Sequence, residues 1–191
     1  MAAADLAVIP DDLDLATAAT VALNGVTAAQ IVDLLGAGEG RRLLVTGAAG
    51  TVGGYVVALA QAGGWQVTGL ARPADEGFVR GLGAEFTAAA DPGWDAVADC
   101  AALLHAGVAL VADGGLFVGV RPGFAPSDSR EVTVRTVEVR PDRAVLAHLL
   151  VLAAQGELPA RVHAVVPLEE VAAAHHAVAA GGVRGKYVVR P

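Results

Sequence analysis

At 191 residues the chain is long enough for one domain with a real core, or for one domain with an appendage. Apolar residues make up 54% of it and charged residues only 17%, beside 24 glycines, so it must bury much of its surface or share it with a partner. A net charge of −7 without a basic run argues against nucleic acid or an anionic membrane as partner, and the lone Cys100 excludes an internal disulfide and a cysteine-based structural zinc site.

Residues 1–10 lack the basic start and apolar centre of a signal peptide, and no uninterrupted apolar run reaches membrane-spanning length, so a soluble, cytoplasmic protein is expected. Asp14 to Leu35 reads as helical, in one piece or in two broken at Asn24-Gly25, with Asp14 or Thr27 as caps. A glycine-rich loop follows at 36–40. Arg42–Thr46 is the first strand, Gly50–Ala62 its helix and Gln66–Leu70 the second strand. A short helix at Asp75–Leu82 and a weak strand at Ala84–Thr87 come next.

Ala96–Cys100 reads as the fourth strand, Ala101–Val111 as a helix, and Asp113-Gly114-Gly115 as a turn into a fifth strand, Leu116–Val120. The prolines at 122 and 126 exclude regular structure there. Glu131–Arg140 alternates polar residues with Val132, Val134, Val137 and Val139, slipping once at Thr136-Val137 as a bulge would. Pro141 opens a helix that ends near Gln155-Gly156; beyond it, Arg161–Val166 is extended, Leu168–Ala180 helical and Lys186–Val189 extended. Strands alternating with helices predict an α/β protein: a Rossmann-type doubly wound parallel sheet with a C-terminal helix–strand appendage. The expected division is a helical segment at 1–36, a dinucleotide-binding body at 37–157 and a return segment at 158–191.

The stretch Leu43-Leu44-Val45-Thr46-Gly47-Ala48-Ala49-Gly50-Thr51-Val52-Gly53-Gly54 carries the most chemistry. A buried strand runs through a glycine turn into a helix, the order of a dinucleotide-binding βα unit. Gly50 allows a pyrophosphate close to the backbone, Gly53 allows the helix close to the strand, and the helix N-terminus offers free N–H groups and partial positive charge. Ala48 stands where the first glycine is usual. The plain alternative is a tight turn that binds nothing.

Thr27-Ala28, the Val45–Gly53 turn, Leu82-Gly83-Ala84, Asp99, Gly119, Pro167-Leu168-Glu169-Glu170 and Gly185-Lys186 occur in the order found in medium-chain dehydrogenases/reductases. The tail PLEEVAAAHHAVAAGGVRGKYVV resembles that family's zinc-independent quinone-oxidoreductase and enoyl-reductase branch. The likeness runs from about residue 8 to the end. It implies that Ala48, Ala49, Gly50, Thr51, Val52 and Gly53 line a pyrophosphate and that Thr27 touches the nicotinamide side. It also implies that Cys100 and Ala101 lie along the cofactor and that Gly119 and Val120 sit near the nicotinamide. Thr27 reads equally well as a helix cap, and Cys100 better as a small buried residue. The family's N-terminal GroES-like catalytic domain has no counterpart here, so the chain is a shortened relative or a partner chain supplies that surface. Extended short-chain dehydrogenases share the glycine turn, but their Tyr-x-x-x-Lys pair is missing: Leu59 stands four positions after Tyr55, and Pro191 after Tyr187.

Cofactor choice follows from charge. An NAD site places a carboxylate near the end of the second strand. Thr68-Gly69-Leu70-Ala71-Arg72 carries no acid there, and Arg72 suits a 2′-phosphate, which favours NADPH over NADH. No metal site is expected: His175 and His176 are adjacent on a helix and diverge, and His105, His148 and His163 have no evident partners. No catalytic acid is evident, and Asn24, Tyr55 and Tyr187 are the polar candidates for a proton donor. The expected function is an NADPH-dependent, zinc-independent reductase of a carbonyl or conjugated C=C bond in a small organic substrate. The alternative is a relative that has lost redox chemistry and serves as a cyclase- or dehydratase-type catalyst or a ligand-binding partner subunit. A homodimer through the edge strand at 131–140 is expected, because an unpaired edge on so apolar a chain would aggregate.

Overall fold

The computed structural model describes residues 5–126 and 130–191; the first four residues of the expected helical segment lie outside them. Six strands form one parallel sheet in the order β3-β2-β1-β4-β5-β6. They are β1 Arg42–Thr46, β2 Gln66–Leu70, β3 Glu85–Thr87, β4 Trp94–Asp99, β5 Val111–Gly119 and β6 Thr133–Thr136. This is the order of a Rossmann fold, whose ligand crevice lies where the chain reverses direction across the sheet, between β1 and β4. The register pairs Thr46 with Leu70 on one side and with Asp99 on the other, so three strands end level at the crevice.

The first helix, α1 (Leu15–Leu35), is continuous. Asp14 caps it, accepting from the Thr17 N–H at 2.9 Å. Asn24-Gly25 does not break it, because Gly25 is where Leu149 of α5 (Arg143–Ala154) lies across the helix; a Cβ there would sit 3.2 Å from the Leu149 side chain. Thr27 therefore stands inside a helix and caps nothing. By length and composition α1 could cross a membrane, although Asn24, Gln30 and Asp33 interrupt its apolar run. Here it packs on α2 (Thr51–Ala62) and α5, burying Val21, Ile31 and Leu35 in the same core as Leu43, Val45 and Val56.

Three expected elements differ. The helix expected at 101–111 shrinks to α4 (His105–Val108), because the Asp99 carboxylate takes the N–H groups of Leu103 at 3.0 Å and Leu104 at 2.8 Å. Those bonds hold an irregular loop in which Ala102 and Leu104 adopt positive φ. The turn expected at 113–115 is instead a bulge inside β5, whose pairing with β4 jumps from Trp94–Val111 to Ala96–Leu116. The short helix after β2 resolves into a 3₁₀ turn, Pro73–Asp75, and α3, Glu76–Gly81.

The C-terminal segment makes its own two-stranded parallel sheet. β7 (Val162–Pro167) and β8 (Lys186–Arg190) flank a 3₁₀ turn and α6 (Val171–Ala180). Two arginines tie this segment to the sheet body. Arg161 stacks on the Phe78 ring at 3.6 Å and donates to the Ala49 carbonyl. Arg184 reaches Asp75.

Candidate functional site

At the C-terminal end of β1 the chain must turn sharply and start α2 within five residues. Gly47 makes the turn with φ of +60°, which costs a residue with a Cβ far more. Gly53 lies in the first turn of α2, where a Cβ would come within 2.2 Å of the Gly47 carbonyl oxygen, so helix and strand touch backbone to backbone. The alanine at the usual first-glycine position is also accommodated. Ala48 is buried, and Gly69 of β2 stands opposite, where a Cβ would lie 2.7 Å from that of Ala48. α2 starts at Gly50 with no side-chain cap, leaving its first N–H groups without intrahelical partners.

These ends enclose a cleft of about 570 Å³. One wall is the glycine turn, Thr46 to Thr51. A second is the end of β2 and the 3₁₀ turn, with Arg72 and Asp75. A third is the β4 loop, with Cys100, Ala101 and Leu103. The C-terminal segment closes the rim with Val183, Arg184 and Gly185.

Beneath the cleft, Thr46 donates from Oγ1 to the Asp99 carboxylate at 2.6 Å and accepts from the Ala101 N–H at 3.1 Å. Both residues are buried, and together they fix the loop that carries Cys100. Burial, and secondarily the Asp99 charge, push the Cys100 thiol far above its ordinary pKa, which leaves it a protonated, unreactive group.

Asp75 is 7% exposed. It accepts from Arg184 through two parallel 2.5 Å bonds, Nε to Oδ1 and Nη2 to Oδ2, while Arg72 Nε stands 3.5 Å from Oδ2. The Arg184 bonds hold the Asp75 carboxyl below the usual carboxylate range. The stretch 68–72 carries no acid, but the 3₁₀ turn swings one into the cleft beside Arg72. That carboxylate is not free, because Arg184 occupies it. Arg161 lies behind, and burial followed by the Arg184 charge lowers its pKa.

Of the residues expected at a cofactor, Ala49, Gly50, Thr51, Arg72, Cys100 and Ala101 line this cleft. Ala48, Val52 and Gly53 stand behind it as packing. Thr27 is not on its lining; its hydroxyl donates to the Leu23 carbonyl at 2.6 Å. Gly119 and Val120 lie at the end of β5, outside the lining, where Gly119 accepts from the Val137 N–H. The polar candidates are elsewhere. Tyr55 is wholly buried with its hydroxyl 3.3 Å from that of Thr20, and burial raises its pKa. Asn24 donates to the Thr20 carbonyl, and Tyr187 packs on His163. Arg184 and Asp75 had no local signal in the sequence, since only the return of the C-terminal segment brings them together.

A family model described as zinc-binding dehydrogenase matches residues 73–189. No curated protein matches the sequence. Among solved structures, the quinone oxidoreductase from Coxiella burnetii superposes with a TM-score of 0.84 at 24% identity, over 95% of this chain and 62% of that one. An NAD-dependent alcohol dehydrogenase gives 0.83 at 26%, over 100% and 63%. The yhdH oxidoreductase from Salmonella enterica, in complex with NADP, gives 0.70 at 21%, over 96% and 65%. The chain thus spans less than two thirds of the length of each. The family description names zinc, and among the described residues no three His, Cys, Asp or Glu side chains come together to hold a metal. On the match over 73–189 and these shared folds, the chain belongs to the zinc-binding dehydrogenase family of the medium-chain dehydrogenases/reductases.

Proposed function

We propose that the chain binds NADPH in the cleft and serves, without zinc, in reducing a carbonyl or conjugated C=C bond of a small organic substrate. The observation that carries the reading is the cleft itself. An uncapped helix N-terminus and backbone without Cβ groups at Gly50 meet an arginine-bearing rim at the end of β2. These residues fit a dinucleotide: the turn from Ala49 to Thr51 would hold the pyrophosphate by backbone N–H groups, and Arg72 would pair with the 2′-phosphate. The bound nicotinamide would supply the hydride. The protein's part is to hold the nucleotide, with Ala101 and Leu103 giving the cleft an apolar wall on the β4 side. Asp75 is engaged by Arg184 and so is not available to the ribose hydroxyls of NADH, which favours the phosphorylated cofactor.

Calorimetric titration with NADPH and NADH tests this. Micromolar NADPH binding that weakens in Arg72→Ala supports it; failure of both nucleotides to bind overturns it.

A second reading keeps the nucleotide and drops the hydride. Asn24, Tyr55 and Tyr187 are all engaged away from the cleft, which favours a ligand-binding subunit or a non-redox catalyst. Stoichiometric consumption of NADPH with a carbonyl or enone substrate separates the two.

A further inference from the structure

We propose that Arg184, delivered by the C-terminal segment, is a second specificity-determining residue for the cofactor's 2′-phosphate, acting with Arg72 across the cleft rim. This inference rests on the nucleotide reading of the cleft.

Arg184 and Arg72 both line the cleft and share one carboxylate, Asp75. The sharing leaves capacity on each. Arg184 spends Nε and Nη2 on Asp75, and its Nη1 makes only a long 3.4 Å bond to the Gly182 carbonyl. The Arg72 side chain is 62% exposed and meets Asp75 through Nε alone, at 3.5 Å. Asp75 is buried and doubly bonded, so it orients the Arg184 guanidinium instead of screening both cations.

The charge count points the same way. Of the residues that line the cleft, Arg72 and Arg184 are the cations and Asp75 is the acid, with Arg161 behind them. The rim therefore carries a surplus of one positive charge, with Arg161 adding a second behind it, toward a phosphate monoester of about −1.5 to −2. A ribose hydroxyl would need an acceptor, and the acceptor here is engaged. Planar guanidinium groups at two points suit a tetrahedral phosphate better than one flexible cation does.

The probes are 2′,5′-ADP and 5′-AMP, which share the adenosine and differ in the 2′-phosphate, titrated into the full chain by calorimetry. The wild-type chain is expected to bind 2′,5′-ADP on the order of a hundredfold tighter than 5′-AMP, with about tenfold from each arginine. Arg184→Ala should lower that ratio about tenfold, with retained 5′-AMP binding serving as the control for folding. Where alanine loosens the tail and both probes are lost, Arg184→Gln, which can still donate to Asp75, repeats the measurement. An unchanged ratio in either variant that still binds 5′-AMP overturns the proposal and leaves Arg184 as a latch for the C-terminal segment. Wild-type binding of both probes without discrimination overturns it too, while the nucleotide reading of the cleft survives. Binding of neither probe overturns both.

Discussion

Arg184 and Asp75 are 109 residues apart in the chain and meet through two 2.5 Å bonds at the rim of the cleft. The pair joins the C-terminal segment to the turn after β2, so it is both a structural fastening and a wall of the site. Asp75→Asn leaves the shape and removes the charge. It should destabilise the chain by about 1.5–3 kcal/mol near neutral pH, the scale of a hydrogen bond to a charged group.

The same pair predicts a pH dependence. The folded-state pKa of Asp75 is depressed below its ordinary 3.8. Its contribution is therefore complete above that value and is lost as pH falls through the lower, folded one. Urea unfolding of wild type and Asp75→Asn should differ near neutrality and converge in acid. A difference that grows as the pH falls below 3.8 would contradict the assignment.

Gly53→Ala places a methyl 2.2 Å from the Gly47 carbonyl oxygen, where neither partner is a flexible side chain. Separating α2 from β1 should cost about 1–3 kcal/mol, in the range of overpacked cores, and move the uncapped helix end away from the cleft. Nucleotide affinity should fall with stability. Thermal melting and titration of this variant, beside Gly77→Ala on α3 where a Cβ meets nothing within 4 Å, check the point. Equal behaviour of the two variants would refute it.

Cys100 lines the cleft but should resist alkylation. Burial and the Asp99 charge keep its thiol protonated well past neutral pH, and the thiolate is the reactive form. Iodoacetamide at mildly alkaline pH should label the unfolded chain quickly and the native chain hardly at all. Rapid labelling of native protein would mean that the Thr46–Asp99 loop is open in solution.

β6 ends the sheet, and its outer edge carries backbone donors and acceptors that no strand among the described residues pairs. Edges of this kind recruit another strand. The Val137 N–H goes to Gly119 of β5, so the Thr136 N–H faces outward. Sedimentation should find a homodimer, and Thr136→Pro, which removes that outward N–H, should shift it toward monomer. A monodisperse wild-type monomer would sink this prediction.

Much of the body was legible because its signals are local. β1 and β2 lie at their expected bounds, because Leu43-Leu44-Val45 and Val67 fill buried strand positions between glycine-bearing turns. Gly47, Gly50 and Gly53 announce a turn because few other residues tolerate a positive φ or a backbone contact at those points. The sequence alone therefore determined the fold class, the strand–turn–helix of the cleft and the family resemblance. Tertiary structure decided the rest, where the deciding partner is remote. α1 runs unbroken past Gly25 because Leu149 covers it. The helix expected at 101–111 gives way to a loop because Asp99 captures its first amides. Ala48 fits because Gly69 on another strand makes room. The charge of the rim, with Asp75 taken by Arg184, exists only once residues 75 and 184 share a surface, because electrostatic pairing depends on distance in space and not on separation along the chain.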